Sequence, residues 1–123
     1  MSEVFLAPRD LVTVTIDDDH TLGLTDAGKS LDVDGAVDTV IITVPDNATV
    51  PLPVGAIVEI VNLTTNTVEI AGDGGVTVRS FDENDAENGS TATRTLAGRY
   101  AAASLRKLDT DDWLAIGQFE EIV

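Results

Sequence analysis

The sequence predicts an all-β protein, a single antiparallel β-sandwich or jelly-roll-like domain of about nine short strands. Three observations carry this. Apolar residues recur with a period of two rather than 3.6, turn signals separate the alternating runs at short intervals, and no stretch has a convincing helical pattern. The 123 residues fit one domain, divided here into an N-terminal arm or edge strand over residues 1–10 and a sandwich over 11–123.

Leu11-Val12-Thr13-Val14-Thr15-Ile16 alternates apolar residues with Thr, and β-branched side chains favour extended backbone because χ1 is already restricted. Asp17-Asp18-Asp19 ends that run. Thr21-Leu22-Gly23-Leu24 makes a short second segment, closed by the turn sequence Thr25-Asp26-Ala27-Gly28. In Lys29-Ser30-Leu31-Asp32-Val33-Asp34 the pattern points Leu31 and Val33 inward. Thr39-Val40-Ile41-Ile42-Thr43-Val44 follows and stops at Pro45, which cannot donate to a ladder.

Residues 46–55 contain Pro51, Pro53 and Gly55 and read as an irregular connection. Residues 57–62 and 67–71 read as the two arms of a hairpin. Asp73-Gly74-Gly75 is a tight-turn signal before the short strand Val76-Thr77-Val78-Arg79. Residues 82–91 lack any large apolar side chain and read as a surface loop. The alanines of residues 99–108 favour helix. Alternation nevertheless puts Tyr100, Ala102, Ser104, Arg106 and Leu108 on one strand face, with Trp113-Leu114-Ala115-Ile116 placed to pair across residues 109–112.

Charge bounds the function. Twenty-two acidic residues face seven basic ones, for a net charge of −15. Phosphate backbones and anionic lipid surfaces attract Lys and Arg, so no nucleic-acid and no membrane partner is expected. Asp outnumbers Glu by fifteen to seven. Halophilic adaptation is one reading of this bias, and Asp-rich turns with few Lys codons are the other. Cysteine is absent, which removes disulfides and thiolate chemistry. The first residues have neither a basic nor a long apolar run, so no signal peptide is expected, and no segment approaches the roughly 18 apolar residues of a membrane span.

No catalytic constellation, metal site or cofactor site is expected. His20 is the only histidine and reads as an exposed turn residue. The clusters at residues 17–19, 32–34 and 109–112 lack the alternating calcium-loop pattern and its distal Glu. Asn47, Asn62 and Asn88 begin N-glycosylation triplets, of which only Asn88 lies in an expected surface loop. Trp113 beside Tyr100 offers a sugar platform as one reading, and a core anchor as the stronger one.

Seven pieces occur in consistent order: Leu24-Thr25-Asp26-Ala27-Gly28-Lys29, Ile42-Thr43-Val44-Pro45, Pro53-Val54-Gly55 with Val58-Glu59-Ile60, Val68-Glu69-Ile70-Ala71, Gly74-Gly75-Val76-Thr77-Val78-Arg79, residues 98–105, and Trp113-Leu114-Ala115-Ile116-Gly117. Through them residues 22–117 resemble a small β-module of tailed-virus (phage or haloarchaeal virus) virion proteins, found in head-decorating proteins and tail-fibre tips. The resemblance implies a β-sandwich displayed on a virus particle, commonly as a homotrimer, with no catalytic residue to transfer. The chain departs from the module in its acidic insertion at residues 82–91 and in standing without a fibrous shaft.

The expected function is therefore a capsid decoration protein, made in the host cytoplasm and carried on the virion. It would bind the major capsid protein on the outer shell and stabilise contacts between capsid subunits. The alternatives are a tail-fibre or vertex-spike receptor-binding tip, or a small carbohydrate- or ligand-binding β-domain. Candidate partner-binding residues are Phe5, Leu6 and Pro8 in the N-terminal arm, and Ile122 and Val123 at the other end.

Overall fold

The computed structural model describes residues 11–122. Ten strands follow in order: β1 (Val12–Ile16), β2 (His20–Thr21), β3 (Lys29–Val33), β4 (Val40–Val44), β5 (Ile57–Asn62), β6 (Val68–Gly72), β7 (Thr77–Ser80), β8 (Arg94–Thr95), β9 (Ala102–Asp109) and β10 (Asp112–Gly117). They build two sheets, one ordered β1-β3-β5-β9-β10-β7 and the other β2-β4-β6-β8. The only helical element among the described residues is the 3-10 turn Leu24–Asp26, within the stretch expected to close the second strand segment.

The expected all-β, two-sheet character holds, and the expected antiparallel pairing does not. Among the described residues, five of the eight strand pairings are parallel. The chain changes sheet at every step from β1 to β9, so β1, β3 and β5 stack parallel in one sheet while β2 and β4 stack parallel with β6 in the other. From β1 to β7 it winds as a flattened coil, each turn crossing both sheets, while β8 runs antiparallel to β6 and the β9–β10 hairpin inserts between β5 and β7. A parallel pair needs a crossover, and here a strand of the opposite sheet supplies it in place of a helix.

The expected hairpin of residues 57–62 with 67–71 is accordingly absent, since β5 and β6 lie in different sheets. The corner between them shows why. The buried Asn62 carboxamide accepts from the backbone N–H and the hydroxyl of Thr64, both at 2.8 Å, and donates to the Asn66 carbonyl at 2.9 Å. Asn66 in turn donates its side-chain N–H to the Ala36 carbonyl of the previous turn at 2.7 Å. These bonds satisfy a buried corner that aims the chain across the core, where a tight hairpin turn would send it back along its own sheet.

The core lies between the sheets. Leu31, Val33, Val58, Ile60, Ala103, Leu105 and Trp113 from one sheet meet Val40, Ile42, Val44, Val68, Ile70 and Leu96 from the other. Trp113 is 1% exposed, so it is a core anchor and the sugar-platform reading falls. The final hairpin is as expected: β9 and β10 pair antiparallel, with a register shift beside Asp112. Gly117 permits it, because a Cβ there would lie 2.4 Å from the Ala102 carbonyl oxygen. Tyr100 does not join the outward face of β9; it precedes the strand with φ of 71°.

Candidate partner-binding surface

β7 ends at Ser80 beside Ala115, whereas β10 continues to Gly117. Past Gly117 the chain leaves for the other sheet, where Phe119 bridges Leu96 and the Glu120 N–H donates to the Thr95 carbonyl at 2.8 Å. The divergence of Phe81 from residues 117–122 opens a groove of about 480 Å³. Phe81, Leu114, Ile116, Phe119 and Ile122 supply its apolar lining. Phe81 is 69% exposed and Ile116 57% exposed, large values for side chains of this kind.

The buried Arg94 on β8 organises this groove. Its guanidinium donates to Ser80 Oγ at 2.7 Å, the Phe81 carbonyl at 3.0 Å and the Glu120 carbonyl at 3.2 Å. It also sits 4.8 Å from the centre of the Phe119 ring. One planar donor fork on β8 thus ties residues 80–81 to Glu120, two segments that share no regular ladder. Asp82, Glu83 and Glu121 complete the lining. The Asn84 side chain holds the far wall by donating to the Ile122 carbonyl at 3.2 Å.

Residues 117–121 separate this groove from a shallower depression lined by Ala97, Gly98, Arg99, Tyr100, Ala101 and Gln118. Tyr100 is 66% exposed. Its left-handed backbone costs energy for any side chain, and is held by its N–H donating to the Asn62 carbonyl at 2.6 Å. Arg99 lies over the ring at 5.1 Å. Exposed Tyr and Arg on a rigid backbone are the residue types that dominate protein interfaces.

Of the expected partner-binding residues, Ile122 lines the apolar groove, half-buried. Phe5, Leu6, Pro8 and Val123 lie outside the described residues. Phe81, Ile116 and Arg94 were not expected. Their signal was available in part: Trp113-Leu114-Ala115-Ile116 is apolar at four consecutive positions, so both faces of that strand are apolar and only one can serve the core.

Other residues with possible chemistry have local work. His20 is half-buried rather than an exposed turn residue, with Nε2 2.9 Å from Oδ2 of the buried Asp26, which also accepts the Gly23 N–H at 2.7 Å. Among the described residues no group of three or more His, Cys, Asp or Glu is placed to hold a metal ion. Lys107, 2% exposed, donates to Asn47 Oδ1 and the Leu52 carbonyl, both at 2.6 Å, pinning the 46–55 connection over β9. The Asn47 carboxamide is thereby engaged and Asn62 is buried, which leaves Asn88 as the one exposed triplet asparagine. No helix among the described residues is long and apolar enough to cross a membrane. No protein-family model and no curated protein matches the chain.

Proposed function

We propose that the protein is a virion structural protein, a capsid decoration protein that sits on the outer shell and stabilises contacts between capsid subunits. In this reading it binds the major capsid protein as a homotrimer. The observation that carries it is the groove with its exposed Phe81 and Ile116 on a chain whose net charge is −15. Such a surface suits protein contacts and repels polyanions. The ordered resemblance of residues 22–117 to virion modules supplies the setting. Three copies on one particle site would multiply a modest individual affinity through simultaneous contacts.

The test is co-sedimentation with particles stripped of this protein. Wild type pelleting with the particles, and Phe81→Ser with Ile116→Ser losing roughly tenfold or more in affinity (the scale of a central interface residue), is the expected result. Equal binding by wild type and variant would show that the groove serves capsid binding neither by direct contact nor by holding the homotrimer together.

A receptor-binding tip is the second reading, favoured by one specific observation: the strained, exposed Tyr100 under Arg99. There the Tyr100 side chain contacts the host, and substituting it abolishes adsorption without changing particle stability.

A further inference from the structure

We infer that the groove between Phe81 and Ile116 receives residues 4–6 of a second copy of this chain. Val4, Phe5 and Leu6 are the only consecutive large apolar residues of the first ten, and Glu3 and Arg9 flank them. The groove presents the complementary arrangement. Its lining is mixed: Phe81, Leu114, Ile116, Phe119 and Ile122 are apolar, the buried Arg94 bonds only neutral acceptors among the described residues, and Asp82, Glu83 and Glu121 supply carboxylates. An extended segment with an apolar centre, one acid and one base fits both halves of that pattern.

Reach assigns the segment to a neighbour. The registers run Thr13 beside Ser30, Ser30 beside Glu59, Glu59 beside Ser104 and Ser104 beside Ile116, so Thr13 and Ile116 share one level of the sheet. Four ladder spacings separate them, about 19 Å. The six residues from Leu11 back to Phe5 span at most about 22 Å when fully extended. Within one chain Phe5 would arrive only on a taut path across the sheet, with no slack to enter the groove or meet Phe81 beyond it. From an adjacent copy the same segment docks without that tension. A contact of this kind is heterologous, one surface donating and a different one receiving, and it closes into a ring when the rotation allows. The inference rests on the self-association in the decoration reading, and it names the element that mediates it.

The absence of cysteine makes the test direct. Two chains of different tagged length, one carrying Phe5→Cys and the other Ile116→Cys, are co-expressed and oxidised. The expected product is a disulfide-linked pair of unequal chains, and the doubly substituted chain should give linked multimers. A control with Val54→Cys in place of Ile116→Cys, exposed but outside the groove, should give none. An intrachain loop in the doubly substituted monomer overturns the exchange, as does the absence of any groove-specific disulfide. Particle labelling remains an independent readout: label on heads without cross-linking sinks the arm exchange alone.

Discussion

Aspartate in this chain acts largely on nearby backbone. Of the fourteen Asp among the described residues, eleven accept a backbone N–H, nine of them from within three positions, among them Asp34 from Gly35, Asp73 from Gly74 and Asp109 from Thr110. The short side chain reaches the backbone beside it, which the longer Glu does less well. Turn chemistry therefore accounts for much of the excess of Asp over Glu. Asp46 shows the electrostatic consequence. The Thr49 hydroxyl, and then the Thr49 N–H at 2.7 Å, hold its carboxyl below the usual range. A depressed pKa stabilises above the unfolded value, so this contribution is present at neutral pH and is lost as pH falls through the lowered pKa. Tyr100 is the opposite case, a residue held against its own preference. Tyr100→Gly removes a left-handed strain of about 1 kcal/mol, so a melting temperature unchanged or raised, together with weaker partner binding, is expected. A clear loss of stability would show that the ring supports the fold.

At the scale of elements, alternation identified most of the strands but not their partners. The β9–β10 hairpin was legible because its two runs flank a short polar turn and the alanines keep strict alternation. The same signals surround β5 and β6, yet the chain crosses the core there, because the deciding information is the bonding of Asn62, Thr64 and Asn66 rather than any period. β8 escaped notice because it has two residues, and its Arg94 is buried by tertiary partners that local sequence does not reveal. The groove was legible only through the doubly apolar β10, since it is formed by chain segments that diverge. The close approach at the end of the hairpin gives a direct test. Gly117→Ala places a methyl group 2.4 Å from the Ala102 carbonyl oxygen, so thermal unfolding should report a loss of about 1–3 kcal/mol, the usual scale of overpacking. Full tolerance would mean that β9 and β10 separate more easily than their pairing suggests.

For the whole molecule, charge and architecture set the behaviour together. A net charge of −15 on 123 residues opposes compaction, and salt screens that repulsion. The melting temperature should rise by roughly 5 °C between low salt and 1 M NaCl, corresponding to about 1 kcal/mol for a domain of this size. A flat or falling curve would count against self-repulsion as a significant cost. Coiling through two sheets leaves β1 and β2 as end strands at the beginning of the coil and β7 and β8 at its finish, with the apolar groove beside β7 and β8. A domain with end strands in both sheets and an exposed groove with apolar walls is suited to assembly, which is the premise of the decoration reading. The most direct check is antibody labelling of intact particles viewed by negative-stain microscopy. Label spread over the heads is the predicted result, whereas label confined to tails or vertices, or none on any particle, would contradict it.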